Sequence, residues 1–184
     1  CPVLISDIAC DSVCDSRSVE SYMVRSSPDS IFKKVKALVR GTPEVTIENC
    51  DTFLKSIKQV CKTPRVLVIG GGTLGLSSNA LYNDVSIQIT SIDVYRTHLT
   101  DLICDGHYLP FKDLSFDGVW IQAVLEHVVE PLVVVSEIER VLATNGLVYA
   151  ETPFMQQVHE GAFDFNRYTV LGHRYLFRNF EEIR

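Results

Sequence analysis

A short apolar segment that runs directly into a glycine cluster places the strongest constraint on this chain. The segment is Val66-Leu67-Val68-Ile69, and it is followed by Gly70, Gly71, Gly72 and Gly75. Consecutive apolar residues, mostly β-branched, predict a fully buried parallel strand, and the glycines predict a tight turn into a helix. Because glycine has no Cβ, a ligand can approach this backbone closely and meet free N–H groups. We therefore expect a nucleotide-like cofactor at this turn.

A second predicted strand ends in an acidic residue. The apolar run that begins at Val85 ends at Asp93, about 20 residues beyond the glycines. A carboxylate at this place can accept hydrogen bonds from ribose hydroxyls. The glycines and Asp93 fit NAD, FAD and S-adenosylmethionine equally well.

From residue 65 onward, predicted strands and helices alternate. This order is typical of an α/β protein with a Rossmann-like, doubly wound and mostly parallel sheet flanked by helices. Strands are predicted at 65–69, 86–93, 102–104, 116–122 and 146–151, and helices at 74–82, 95–99, 130–143 and 169–179. Two further helices are predicted at 27–41 and 47–61. We therefore divide the chain into an N-terminal arm with helices that pack on the core, residues 1–62, and the core itself, residues 63–184.

Composition and charge narrow the class of protein. A chain of 184 residues, 46% apolar and 22% charged, suits one soluble globular domain of ordinary size. The net charge of −6 and the absence of basic runs argue against nucleic acid as the main partner. No segment is apolar enough to span a bilayer, so we expect a cytoplasmic protein. We interpret the six cysteines as free thiols, since Cys1, Cys10 and Cys14 lack metal-ligand spacing, and expect no metal site.

An ordered set of motifs follows the glycine cluster. The motifs are C-D-G-H-Y-L-P-F at 104–111, S-F-D-G-V at 115–119, V-L-E-H-V at 124–128, E-I-E-R-V-L at 137–142 and N-G-L at 145–147. Together they resemble class I S-adenosylmethionine-dependent methyltransferases, nearest to the small-molecule branch that includes the quinone-biosynthesis enzymes. The resemblance runs from about residue 65 to residue 153. It implies methyl transfer to a small-molecule acceptor, with the acceptor atom (oxygen, nitrogen or carbon) left open and S-adenosylhomocysteine as the product.

The resemblance also implies roles for individual residues. Asp93 would bind the ribose hydroxyls, Asp105 and the backbone N–H of Gly106 would meet the adenine, and Gln122 and Ala123 would lie under the methionine portion. The full cofactor-binding set predicted in this way is Gly70, Gly71, Gly72, Gly75, Asp93, Val94, Asp105, Gly106, Gln122 and Ala123.

Two positions depart from the family pattern. The family usually has an acidic residue two positions before the first glycine, where this chain has Val68. The usual place of the third glycine is Leu74, and the glycine is instead Gly75. Both positions lie where the family holds the amino and carboxylate groups of the cofactor.

The segment after the last predicted strand resembles an acceptor-side insertion found in a subgroup of these enzymes, here at about residues 154–170. A general base is needed only if the acceptor must lose a proton, and the candidates are His127, His159 and Asp164. We interpret Arg167 as a residue that orders this loop. His98, His107 and His173 are interpreted as surface or helix-end residues.

Two other functions compete with this interpretation. A nicotinamide-dependent oxidoreductase would share the glycines and Asp93, but the chain has no Tyr-x-x-x-Lys pair and no room for a substrate domain. A methyltransferase-like domain that binds the cofactor without transferring a methyl group is the second alternative, and Val68 and Leu74 motivate it.

The predicted strands also leave a sheet edge open. A class I methyltransferase sheet has seven strands, the last two forming a hairpin, and we count five here. An open edge exposes unpaired backbone groups, so residues 2–5 or a second copy of the chain should cover it. We therefore expect either a homodimer joined near residues 146–151 and the insertion, or a truncated chain with an incomplete acceptor pocket.

Overall fold

A seven-stranded sheet with helices on both faces organises the computed structural model, which describes residues 3–7, 43–75, 78–154, 157–158 and 163–183. The elements, in chain order, are β1 (Val3–Asp7), α1 (Pro43–Val60), β2 (Arg65–Ile69), α2 (Ser78–Tyr82), β3 (Gln88–Asp93), β4 (Leu102–Ile103), β5 (Phe116–Gln122), a 3-10 helix (Leu125–His127), α3 (Pro131–Val141), β6 (Leu142–Glu151), α4 (Val170–Leu176) and β7 (Glu181–Ile183).

The strand order is β4-β3-β2-β5-β6-β1-β7, and every pairing is parallel. The α/β, Rossmann-like fold predicted from the sequence is therefore confirmed. The chain moves outward in one direction from β2 to β4 and then in the other direction from β5 to β6. Such a reversal opens a crevice at the carboxyl ends of the central strands, which is where open α/β sheets bind ligands.

One predicted helix is absent. Residues 95–99 form turns, because the hydroxyls of Thr97 and Thr100 bond to the backbone of the same short segment. Side chains of this kind offer the backbone an alternative to helical hydrogen bonds. Strand β6 begins earlier than predicted, at Leu142, and Asn145 within it has the left-handed φ of 63° that we expect of a helix stop.

The edge beyond β6 is covered. Strand β1 lies between β6 and β7 and pairs with both, with Val3 opposite Leu147 and Glu181. The side chain of Leu4 is 1% exposed and belongs to the core. The count of five strands is thus corrected to seven, and residues 3–5 provide the cover expected of the N-terminal arm. All pairings of the described residues are parallel, so these strands are not the antiparallel hairpin of the family. The homodimer stays a prediction, and the edge no longer argues for it.

Two clusters of buried residues hold the helices to the sheet. On one face, Phe53 and Ile57 of α1 contact Trp120 and Tyr149, whose rings stack at a centroid distance of 3.8 Å. On the other face, α3 and α4 pack against the alternate side chains of the same strands. The helix predicted at 47–61 is therefore confirmed as part of α1, whereas the helix predicted at 27–41 lies outside the described residues.

Three further expectations from the sequence concern membrane-spanning segments, metal sites and free cysteines. Among the described residues, no helix combines the length and apolar character that crossing a membrane requires. Within the same ranges, no group of three or more potential metal ligands occurs. Cys50, Cys61 and Cys104 are free thiols, and Cys1, Cys10 and Cys14 lie outside the described residues.

Candidate functional site

The glycine turn after β2 is closed by its own hydrogen bonds. The N–H groups of Gly70 and Gly71 both donate to the carbonyl oxygen of Ile92, at 2.9 and 3.0 Å. Gly70 has a φ of 76°, and a Cβ there would collide with Val124. This conformation and this packing both require glycine.

The remaining glycine N–H groups are also engaged. Gly72 donates to Oδ2 of Asp93, and Gly75 donates to the hydroxyl of Ser78, at 2.8 and 2.9 Å. The expectation of free N–H groups is therefore wrong for Gly70, Gly71, Gly72 and Gly75. A ligand can still approach the backbone of this turn closely, because the glycines have no side chains.

Asp93 is held at the carboxyl end of β3 by backbone donors. Oδ2 accepts from the N–H of Gly72 and Oδ1 accepts from that of Tyr95, at 2.8 and 3.0 Å. A Cβ on Gly72 would lie 2.6 Å from Oδ2, so only glycine lets the turn approach this carboxylate. Each oxygen keeps a second lone pair, which suits the two adjacent hydroxyls of a ribose. Val94, the next residue, is exposed.

Asp105 lies on the loop after β4 and is oriented by His107. Its Oδ1 accepts from the backbone N–H and from Nδ1 of His107, and the other ring nitrogen accepts from the N–H of Glu130. Partial burial raises the pKa of Asp105, but the hydrogen bonds and charge of His107 outweigh it and lower the pKa overall. The side chain of His107 is largely buried, so its interpretation as a surface residue is wrong. Gly106 adjoins α3, where a Cβ would lie 3.5 Å from Val134.

Two charged residues of α3 hold this loop against the sheet. Glu137 accepts from the N–H of Leu109, while Arg140 donates to the carbonyl oxygens of Leu109 and Phe111. Arg140 also pairs with Glu137, and this contact is the main cause that lowers the pKa of Glu137. Two residues of the motif at 137–142 therefore hold the backbone of the motif at 104–111 in place.

Gln122 and Ala123 end β5 beside the glycine turn. Ala123 has a φ of 52° and donates its N–H to the carbonyl oxygen of Glu151. The side-chain oxygen of Gln122 would lie 3.3 Å from a Cβ on Gly75. Its amide nitrogen donates to Oε2 of Glu151 at 3.2 Å, and the hydroxyl of Tyr149 donates to the same oxygen. Sequence reasoning missed Glu151, although it ends a predicted strand as Asp93 does.

The acceptor-side insertion is fastened to the 3-10 helix that follows β5. The N–H groups of Phe165 and Asn166 donate to the carbonyl oxygen of Glu126, at 2.8 and 3.1 Å. The side-chain amide of Asn166 donates to the carbonyl oxygen of Val128. His127 donates from Nδ1 to the carbonyl oxygen of Phe163 at 2.7 Å. We call these contacts between residues 126–128 and 163–166 the loop latch.

The latch contains two of the three candidate bases. His127 uses Nδ1 for the latch, and its Nε2 lies 3.7 Å from Oε1 of the buried Glu126. The side chain of Asp164 is 1% exposed and forms a two-pronged ion pair with Arg167. His159 lies outside the described residues.

Arg167 ties the insertion together, as its interpretation as a loop-ordering residue implies. Besides Asp164, its guanidinium donates to the carbonyl oxygen of Asn166 at 2.8 Å and to that of Gln157 at 3.5 Å. The hydrogen bond to Asp164 is the main cause that raises the pKa of Arg167.

Two polar side chains are buried behind the latch. Within the described part of the chain, the hydroxyl of Tyr168 and both ring nitrogens of His173 have no hydrogen-bond partner. Burial, aided by the charge of Glu126, raises the pKa of Tyr168 to about 12, and burial lowers the pKa of His173 to about 4. His173 is therefore a core residue and not the surface or helix-end residue we predict from the sequence.

Comparison with known proteins relates part of this chain to methyltransferases. Residues 67–150 match a protein-family model described as a methyltransferase domain. An uncharacterised protein of Methanocaldococcus jannaschii is 27% identical over 135 residues, which cover 71% of this chain and 58% of that protein. This chain thus spans little more than half the length of that relative.

Solved structures share the fold. A protein of Pyrococcus horikoshii OT3 superposes with a TM-score of 0.53 at 16% identity, covering 72% of this chain and 80% of its own. A chain from the complex between the Haloferax volcanii Trm112 methyltransferase activator and a methyltransferase gives a TM-score of 0.52 at 21% identity, covering 85% and 76%. Together with the family match over residues 67–150, these similarities show that the chain has the α/β fold that it shares with methyltransferases.

Proposed function

We propose that this domain binds S-adenosylmethionine in the crevice at the carboxyl ends of β2, β3 and β5 and methylates a small-molecule acceptor. The observation that carries the proposal is the carboxylate of Asp93, which two backbone N–H groups fix beside a glycine that has no room for a side chain. A ribose edge fits such a carboxylate, and the loop at Asp105 adjoins it for the adenine.

Several of the residues present suit parts of this cofactor. The close-packed glycine turn leaves the backbone accessible, Asp93 offers acceptors to two hydroxyls, and Gln122 reaches the turn from β5. The cofactor supplies a methyl group on a positively charged sulfur, which leaves as a neutral thioether. The task of the chain is then to align the acceptor with that methyl group and to exclude competing geometries.

On the acceptor side, we assign different roles to the candidate residues. His127 lies next to the end of β5, and since Nδ1 donates to Phe163, Nε2 is the atom that would accept a proton from an acceptor. Asp164 is buried against Arg167, which favours a positioning role over proton transfer. His159 remains a candidate base.

Calorimetry with S-adenosylhomocysteine tests the cofactor assignment. We expect binding of this ligand and none of NADH, with a rise in melting temperature, because a ligand selective for the folded state stabilises it. Asp93→Ala should weaken binding by about 1–3 kcal/mol, the cost of stranded hydrogen-bond partners. The matched control is Asp117→Ala, which also removes an acceptor of a backbone N–H but at the opposite end of the sheet. Unchanged affinity in Asp93→Ala, or binding of NADH alone, would contradict the proposal.

Val68 favours a second candidate function. Its side chain is 3% exposed in the core beside Trp120, so position 68 provides no charge for the cofactor. A domain that binds the cofactor without transferring a methyl group would tolerate this loss. Binding of S-adenosylhomocysteine without turnover across a panel of acceptors would support that alternative.

A further inference from the structure

The carboxylate of Glu151 lies on the same face of the sheet as Val68, two strands away. Val68 pairs with Trp120, and Trp120 pairs with Tyr149, so the three side chains share one face. Two residues further along the strands, nearer the crevice, the same face carries Gln122 and its partner Glu151. Because strand side chains alternate with a period of two, Glu151 projects on the face where position 68 has no acid.

Glu151 is joined to the glycine turn through Gln122. Its Oε2 accepts from the amide nitrogen of Gln122 at 3.2 Å and from the hydroxyl of Tyr149. The other end of the Gln122 amide faces Gly75, where a Cβ would lie within 3.3 Å. The amide of Gln122 and the hydroxyl of Tyr149 are uncharged donors, and these two bonds orient the carboxylate. Both Gln122 and Glu151 are only partly buried, which leaves them accessible to a ligand in the crevice.

We propose that Glu151 is the carboxylate that binds the α-ammonium group of S-adenosylmethionine, in place of an acid at position 68. The inference rests on the proposed function, which puts the methionine portion over Gln122. An ammonium group is complementary to a fixed carboxylate, and charge-assisted hydrogen bonds are about twice as strong as neutral ones. Glu151 thus selects the amino-acid end of the cofactor, whereas Asp93 selects the ribose.

Two ligands that differ only in this group provide the test. One is S-adenosylhomocysteine, and the other is its analogue in which hydrogen replaces the α-amino group. The wild-type protein should bind S-adenosylhomocysteine about 10- to 100-fold more tightly than the analogue. Glu151→Gln keeps the shape and removes the charge, so it should lose most of this preference while its affinity for the analogue changes less than about 2-fold.

Matched variants separate this role from an effect on folding. Glu139→Gln removes a carboxylate of α3 that binds Asn179, away from the crevice, and should keep the wild-type preference. Tyr149→Phe removes a neutral donor but leaves the charge of Glu151, so it should also keep the preference for the amino ligand. A wild-type protein that binds both ligands equally, or a Glu151→Gln variant that keeps the preference or weakens both ligands alike, would overturn the inference. If the wild-type protein binds neither ligand, the proposed function itself fails, and the inference fails with it.

Discussion

At the scale of single residues, the side chain of His173 has the least favourable surroundings for a charge. It lies on α4 between the rings of Tyr168 and Phe177, at centroid distances of 6.3 and 5.0 Å. The carboxylate of Glu182 favours the protonated ring, but burial outweighs it and lowers the pKa to about 4. The folded protein therefore keeps this ring neutral at pH values where an exposed histidine takes a proton.

This burial predicts a specific loss of stability in acid. Below the ordinary histidine pKa of about 6.5, the unfolded chain binds a proton that the folded chain excludes until the pH reaches about 4. The free energy of unfolding should thus fall across this window by up to about 3 kcal/mol because of His173 alone. Denaturant unfolding at pH 7, 5.5 and 4 measures the effect, and His173→Leu should remove it from the profile.

The exposed His98 supplies the control, since His98→Leu should leave the slope of the wild-type profile unchanged. Parallel profiles for the wild-type protein and His173→Leu would contradict the expected role of His173.

Site residues at strand ends are more predictable than those on the insertion. Asp93 and Gln122 could be located because an apolar run marks where a strand ends. The burial of His173 was also predictable, because this residue precedes the buried Leu176 and Phe177 by one helical turn. The contact of Glu151 with Gln122 joins residues that are distant in sequence, and no local pattern reports such a contact.

At the scale of elements, the loop latch joins the insertion to the end of β5 mainly through backbone groups. The carbonyl oxygen of Glu126 receives two N–H groups of the insertion, and Asn166 adds a side-chain bond to Val128. Arg167 stabilises the insertion from within through Asp164. Motif resemblance indicates that this segment lies near the acceptor, but it does not report which carbonyl groups hold it there.

Arg167→Ala should loosen the latch without affecting the cofactor crevice. It removes the ion pair of the buried carboxylate of Asp164 with Arg167, so we expect the free energy of unfolding to fall by about 1–3 kcal/mol. The amides of Phe165 and Asn166 should exchange their hydrogens faster, while the affinity for S-adenosylhomocysteine stays within about 2-fold. Hydrogen exchange and calorimetry on one sample measure both effects.

Arg178→Ala is the matched control, because the guanidinium of Arg178 donates to the carbonyl oxygen of Tyr175 and lies over the ring of that residue, outside the loop latch. Unchanged exchange at Phe165 in Arg167→Ala, or an equal effect of Arg178→Ala, would contradict the role assigned to Arg167.

At the scale of the whole molecule, strand β1 belongs to the core although it is distant in sequence from its partners. Apolar runs and turn signals were sufficient to predict the existence of β2 to β6. They left open whether residues 2–5 or a second copy of the chain covers the edge, since a short apolar run carries no information about its neighbours in the sheet. The position of β1 between β6 and β7 therefore depends on tertiary contacts that the local sequence does not specify.

Leu4→Ala tests this position. Removing a fully buried leucine side chain should lower the free energy of unfolding by about 2–5 kcal/mol. Leu102→Ala, on the edge strand β4 where the side chain is 38% exposed, should cost less than about 1 kcal/mol. Denaturant unfolding compares the two, and an equal or smaller effect at Leu4 would mean that β1 does not pack in the core.

The pairing of β1 also determines the order in which the chain can fold. Val3 pairs with Leu147 and Glu181, so β1 can complete its pairing only after segments that are synthesised much later. Contacts between such distant residues close large loops and slow folding. Until β6 and β7 have been synthesised, residues 3–7 of the nascent chain have no partner strand, and chaperones would meet them as an unpaired segment.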